Sequence, residues 1–425
     1  MATIISQTTL FDYTEIEVLG DLERLKLALS GIDDEYLMCR LEDRRGHGRD
    51  DYPIRVMWNL LIAMKVFGHK TIESFRRELE RNSQLRKICG LNDNCSQKRH
   101  LAPPARVFSR FIKSLADEQE AAKRIFNSEV GELYELLPQF GEDIAGDGKY
   151  LDSYAEREKA GGCKDVDMRG EHDAKWSVKE YEYTGRDGKQ HSKKEYHYGF
   201  KGHIICDTRT ELPITFNVTQ ANADEKSEMI KMIQAMPGKQ KERARSMALD
   251  RGYDSTDMIK TVKSAGMLPV IDIRNCWRDG EPTKQYKNTD IVYDYQGNVF
   301  FVEEGGKQVR MRYKGYDKTK KCLRYSHKEK IYKIYISYDE RIFLPIARDS
   351  MKFKRLYKGR TSIERLNGRI DRDFMFEDHC IRGRRKMETM LTISLIVMNG
   401  MAIAKIKAGQ TENLAAITKK VKSAA

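Results

Sequence analysis

The hydrophobic period of the chain changes at Pro138, and that change restricts the fold more than any other feature. Before it, apolar residues recur at helical spacing. Met57, Leu60, Leu61 and Met64 follow Pro53; Phe75 and Leu79 follow Thr71; Val107, Phe108, Phe111 and Leu115 follow Pro103 and Pro104. Further helices are expected near 22–29 and 84–89, and a long polar one over 118–137. After Pro138 the pattern alternates. DIAGDGKYLDSY, residues 143–154, reads as a strand with Asp147 inside it, and an acid in a strand is unfavourable unless solvated, paired or metal-bound. Residues 155–195 read as a charged loop. YHYGFKGHIICD (196–207) and LPITFNVT (212–219) read as a hairpin, followed by a helix over 225–236, a strand over 246–249, a helix over 255–265 and a strand over 267–273.

From Ile291 to Ile346 the pattern is β throughout: IVYDY, VFFVE, VRMRY, KIYKIYIS and IFLPIA are separated by turn signals. The expected architecture is therefore an all-α segment over 1–137 and an α/β domain over 138–408. The latter carries a β-rich insertion at about 275–350, and a basic tail covers 409–425. The apolar run 390–404 is shorter than the roughly 18 residues of a membrane span, so it reads as a buried helix and no membrane partner is expected.

A net charge of +13 in a chain with 33% charged residues places an excess of cations on a folded protein, which points to a polyanionic partner. Eight cysteines without a CxxC pair argue against a zinc ribbon and for reduced thiols in a cytosol-like compartment. Arg106, Arg110 and Lys113 fall on the outer face of the 105–117 helix, as in a helix-turn-helix reader of duplex DNA or a plain bundle with solvated cations. His191, His197 and His203 lie along a strand with no acid or cysteine completing a ligand set.

The segment GRTSIERLNGRIDRD, residues 359–373, carries Ile363, Leu366 and Ile370 as a narrow apolar stripe, with a capping-box pattern from Thr361 to Glu364. Arg360, Glu364, Asn367 and Asp371 share one face; Arg365, Arg369 and Arg372 form a basic row beside it. Three acids stand out: Asp147 in the first strand, Asp250 at the end of the strand SMAL, and Glu364 on this helix. Phosphodiester chemistry uses such hard oxygen ligands to hold two Mg²⁺ ions about 3.5 to 4 Å apart.

At these residues the chain resembles the DDE transposases of bacterial insertion sequences. The resemblance runs through YPIRVMWNLLIAMKVFGHKTIESFRRELERN, GDGK, HYGFKGHIICD, ANADE, LDRGYDS and YKGRTSIERLNGRIDRD, spanning residues 52–373. It implies an RNase H-like catalytic core of mixed sheet and helices. It also implies Mg²⁺ (two ions, Mn²⁺ substituting) on Asp147, Asp250 and Glu364, and transposon-end DNA on Tyr357 and Arg360; from their basic faces, Arg365, Arg369, Arg372 and the N-terminal cations are expected as further DNA contacts. The implied reaction is hydrolysis at the element end followed by transfer of the 3′-hydroxyl into target DNA, by a homodimer on double-stranded DNA in the cytoplasm. In the subgroup with a β-rich insertion, the signature places a lysine where this chain has Asp371, so Arg369 or Arg372 is expected to supply that charge. Two other readings share these motifs: an RNase H-like nuclease or resolvase that cuts without joining, and a transposase-derived DNA-binding protein without catalysis.

Overall fold

The computed structural model describes residues 19–47, 51–91, 101–155, 171–184 and 190–418. The N-terminal part is helical: α1 (Glu23–Gly31), α2 (Glu35–Arg45), α3 (Ile54–Val66), α4 (Ile72–Arg81), α5 (Ser83–Ile88), α6 (Ala105–Asp117) and α7 (Gln119–Leu136). Local chemistry sets several of the boundaries. Thr71 and Ser74 form a reciprocal capping box at the start of α4, and Asn82 accepts from Leu85 N at the start of α5. Pro53 and Pro104 precede α3 and α6, where a missing N–H costs nothing. The α2 helix lies in a stretch whose charges hid its three apolar anchors, Leu37, Met38 and Leu41, all buried.

The central sheet contains β1 (Asp143–Asp152), β2 (Lys175–Thr184), β3 (Gln190–Asp207), β4 (Pro213–Gln220), β5 (Ser246–Leu249) and β6 (Leu268–Ile271). Its order is β2-β3-β1-β5-β6, with β4 also on β3; β1, β5 and β6 run parallel and β3 antiparallel to β1. This is the RNase H-like arrangement. Within the stretch read as a loop, β2 and the first half of β3 instead form a long two-stranded ribbon, in register from Lys175↔Gly199 to Thr184↔Gln190. Its charged composition suits strands that leave the sheet and face water on both sides. Gly199 sits where β3 exchanges β2 for β4 as neighbour. A Cβ there would lie 2.5 Å from Leu151 O and 2.6 Å from Ser153 N, so only glycine fits the crossing.

Helices cover both faces of the sheet. The α8 helix (Glu225–Ala235) lies under Gly146 and Gly148, where Cβ atoms would meet Met229 and Glu225. It is followed by the short α9 (Gly238–Arg243) and, after β5, by α10 (Thr256–Ser264), which packs on α8 and β6. After the insertion come α11 (Met351–Lys358), α12 (Thr361–Arg372) and α13 (Arg384–Lys407). The α12 helix packs on β1 and β3 through Ile363, Leu366 and Ile370. The capping box expected at Thr361 does not form, because α11 runs almost directly into α12. Arg360 at the junction is already in helical conformation, and the Thr361 hydroxyl donates back to Lys358 O at 3.0 Å.

The insertion is two small antiparallel sheets: β7 (Lys284–Gln285), β8 (Ile291–Tyr293), β9 (Val299–Val302) and β10 (Gln308–Arg310), then β11 (Arg312–Asp317), β12 (Cys322–His327) and β13 (Lys330–Tyr335). The segment IFLPIA is no strand; its Ile342, Phe343 and Leu344 are buried as an irregular plug. A separate apolar cluster built on Tyr286, Tyr293, Tyr325 and Phe343 holds the insertion together.

Arg341 ties it to the catalytic core. Its Nε and Nη2 donate to Asp254 Oδ2 at 3.1 and 2.9 Å, and the Asp254 side chain is wholly buried. Arg341→Met would leave that carboxylate without its cation, and is expected to cost about 3–5 kcal/mol. A denaturant melt checks this, and an unchanged midpoint would show that Arg274 N, donating at 3.0 Å, satisfies Asp254 alone.

The α13 helix is long and apolar enough to cross a membrane, but it lies in the protein core. It packs against α1, α3, α6, α7 and β4, so a single apolar cluster runs from Leu19 to Ile417. The boundary expected at 137 therefore separates two patterns of secondary structure but not two cores.

Candidate active site

The parallel pairing of β1 with β5 ends at Gly146↔Leu249. The next residue in each case is an aspartate, so Asp147, midway along β1, stands beside Asp250, which directly follows β5, at the point where the parallel pairing ends. Alternation puts Asp147 and Lys149 on one face of the sheet. Lys149 pairs with Asp371 of α12 at 2.5 Å, which identifies that face as the one α12 covers. At position 371, where the signature has a lysine, the acid is met by a cation from β1.

Asp147 accepts from Gly148 N at 2.8 Å, a bond that favours the carboxylate. Burial outweighs it, and with the nearby charges of Glu225 and Asp250 pushes the Asp147 pKa up to about 6. The Tyr253 hydroxyl, just beyond Asp250, is buried and has no hydrogen-bond partner among the described residues. Burial and then the charges of Asp147, Glu225 and Asp250 hold its pKa well above the usual tyrosine value. Glu225, at the first turn of α8, is the site residue that the sequence reading passed over. Its carboxylate packs against Gly148 and pairs at 2.8 Å with Lys201, which is itself buried and lies over the Tyr150 ring. The ANADE run showed only a helix start, and nothing local marks which way Glu225 turns.

Glu364 projects from α12, half exposed, and pairs with Arg360 one turn earlier at 2.9 Å. The Arg360 guanidinium sits 5.7 Å over the Tyr357 ring, which in turn stacks on Phe353. Burial opposes the Arg360 charge, yet Glu364, Tyr357 and Asp250 outweigh it and raise its pKa. Arg360 is thus a cation felt by both Glu364 and Asp250. Among the described residues no three His, Cys, Asp or Glu side chains converge as a ligand set, so Glu364 is held by Arg360 instead of joining Asp147 and Asp250.

The basic row divides. Arg365 and Arg369 both pair with Glu211 in the β3–β4 turn, and Arg369 is largely buried. Two members of the row expected to meet phosphate thus tie α12 to the sheet, because the turn presents a carboxylate under them. Arg372 is exposed, with Nε donating to Gly368 O. Arg106, Arg110 and Lys113 are exposed on α6. Arg369→Ala is expected to destabilise the fold by about 1–2 kcal/mol without changing the salt slope of DNA retention. Arg372→Ala should flatten that slope by about one unit and leave stability alone. Thermal melts and retention over a salt series separate the two, and a flattened slope with Arg369→Ala would restore it as a phosphate contact.

The histidines behave as strand residues. His197 stacks on Tyr150 with centroids 3.8 Å apart and bonds Asp152, while His203 is buried against Thr219 Oγ1, its pKa lowered to about 4 by burial. His191 is exposed on the ribbon.

The sequence profile of the Transposase DDE domain family matches residues 164–399, a span that includes Asp250 and Glu364 and begins after Asp147. A solved structure of piggyBac transposase, in a synaptic complex with hairpin DNA, aligns over 93% of this chain and 77% of that chain, at a TM-score of 0.38 and 12% identity. No curated protein matches the sequence.

Proposed function

Because the chain belongs to the Transposase DDE domain family, we propose that it cuts DNA at the ends of a bacterial insertion sequence and joins the freed 3′-hydroxyl to target DNA. The observation that carries this reading is the placement of Asp147 and Asp250 next to each other where the parallel pairing of β1 with β5 ends. The donors are hard carboxylate oxygens, and Asp147 is pressed toward its neutral form by burial and like charge. A site with that electrostatic strain suits a divalent cation, which would stabilise both carboxylates. Asp147 and Asp250 would hold Mg²⁺, with Glu364 as the third ligand once it leaves Arg360. When bound, the ions supply an activated oxygen nucleophile and stabilise the leaving oxygen.

The protein's own residues do the rest. Arg360, released from Glu364, presents its guanidinium to a DNA phosphate beside the acids, held in place by the Tyr357 ring. Lys201 fixes Glu225 behind Asp147, and Asp371 keeps Lys149 along the edge of the site. Water first displaces the 3′-oxygen at the element end, and that hydroxyl then displaces an oxygen in the target, so each step breaks one phosphodiester bond and no enzyme nucleophile is needed. Arg372 and the α6 cations track the duplex, a homodimer brings two ends together, and the reaction belongs in the cytoplasm on nucleoid DNA.

The test is incubation of the full chain with duplex DNA carrying the inverted repeats that flank its gene, with Mg²⁺, Mn²⁺ or EDTA. Nicks at the repeat ends and joined products are expected with either metal and not with EDTA. Cutting without joining would favour the nuclease reading, and binding without cutting would leave a DNA-binding protein.

A further inference from the structure

Away from the acids, a cavity of about 300 Å³ lies where α3, α4 and α6 meet the segment 374–382 that leads from α12 into α13. Met64, Ile72, Ile112, Phe374 and Met390 form its apolar wall, and His69, Thr71, Ser109 and His379 are among its polar lining. Lys65 is its one buried cation. It is 5% exposed, lines the cavity, and has no hydrogen bond or ion pair among the described residues; its ammonium rests 4.6 Å over the Phe376 ring. The nearby charges do not serve it. Glu73 is held by Arg76 at 2.7 Å, and Asp378 by Lys70 at 2.7 Å. Arg382 and Lys386 add further positive charge at the mouth.

Burying an unpaired ammonium is costly, and a ring face offsets only a small part of that cost. The burden shows in the Lys65 pKa, lowered by burial to about 7. A single buried cation beside an apolar wall is the complement of a ligand with one anionic group and an apolar body. A phosphodiester backbone would call for several donors converging on each phosphate, whereas Lys70 is engaged by Asp378 and Arg382 lies over the Tyr154 ring, which leaves Lys65 as the one buried donor.

We propose that this cavity binds a small apolar carboxylic acid, its carboxylate on Lys65 and its hydrocarbon or aromatic body against Met64, Ile112 and Phe374. The size fits two fused rings or a chain of roughly ten carbons. Because the walls come from both the N-terminal helices and the exit of α12, a bound acid braces the helix that carries Glu364. The proposal stands on the cavity alone and does not depend on the transposition reading.

The experiment is calorimetric titration of the full chain with 2-naphthoate and with its neutral counterpart, 2-naphthalenemethanol, for the native sequence and for Lys65→Met. Methionine fills the same space without the charge, and removing an unpaired buried cation should leave the fold intact or firmer, which a thermal melt confirms. The expected result is saturable binding of the acid at least tenfold tighter than the alcohol, with that preference lost in Lys65→Met while the alcohol still binds. Absence of binding by either probe overturns the proposal, as does an unchanged preference in a folded Lys65→Met. Stoichiometric displacement of naphthoate by a short DNA duplex would also overturn it, by showing the cavity to be part of the DNA path.

Discussion

Asp147→Asn is expected to lower Mg²⁺-dependent cleavage by about a thousandfold or more while making the metal-free protein more stable at neutral pH. The first effect follows from removing a charged ligand in a site whose chemistry depends on cation-held oxygens; a thousandfold corresponds to about 4 kcal/mol of transition-state stabilisation. The second follows from linkage. The Asp147 pKa is raised from 3.8 to about 6 in the folded protein, chiefly by burial. The folded state therefore holds this proton more tightly than the unfolded chain. Its stabilising contribution is complete below about pH 4, falls as pH rises, and is lost above about pH 6, leaving a deficit of about 3 kcal/mol at pH 7. Asparagine keeps the acceptor for Gly148 N and removes the buried charge. Melts in EDTA at pH 5 and pH 7 should show a gain for Asp147→Asn that grows with pH, and cleavage of repeat-end DNA should be nearly absent. A variant that cuts at the native rate would remove Asp147 from the site, and a uniform loss of stability would show that the charge is paired.

The two outcomes together distinguish a functional carboxylate from a structural one. Asp207, also buried on the central sheet, accepts from Gly141 N, Arg209 N and Thr210 N as well as from the Thr210 hydroxyl. Those bonds offset part of its burial, which still raises its pKa. Asp147 has one such bond and two acidic neighbours.

That difference was partly legible in the sequence. An acid between apolar strand residues, a second acid directly after SMAL, and a third on a helix with a narrow apolar stripe could be read from period and spacing alone. Their adjacency could not, since it depends on register between strands a hundred residues apart. The α12 arginines show the limit from the other side: spacing placed Arg365 and Arg369 in a row but said nothing of Glu211, which comes from a turn over 150 positions away. The ribbon of β2 and β3 was missed for a different reason. Its alternating apolar residues, such as Trp176 and Val178, are exposed and stand in a run dominated by charge, which is the composition of a loop. The insertion was legible as β, but its division into two sheets rests on strand pairings that no short window contains.

Gly31→Leu is expected to abolish the folded state, although it lies far from the acids in sequence and only adds an apolar side chain to a helix. A Cβ at Gly31 would stand 1.9 Å from Gly400 O and 3.1 Å from Ala404 Cβ, and a Cβ at Gly400 would stand 2.5 Å from Ile32 Cγ1. The α1 and α13 backbones thus touch at a glycine pair, and neither helix can withdraw, because α13 is also packed against α3, α6, α7 and β4. Overpacking that backbone must displace costs more than about 3 kcal/mol, a large part of the stability of an ordinary domain. Gly131→Ala on α7 supplies the contrast: no atom lies within 4 Å of its Cβ position, so helix propensity should make it stabilising by about 0.5–1 kcal/mol. The same packing bears on the N-terminal helices as a DNA-binding unit. A fragment ending near residue 137 would lack α13 and expose the core side chains of α1, α3 and α7 that it covers, so DNA retention by α6 should appear in the full chain and not in the fragment. Circular dichroism of both glycine variants and of the fragment decides the point. A fragment that melts cooperatively and holds DNA would mean that the helical layer carries its own core, and Gly31→Leu would then disturb only the seam.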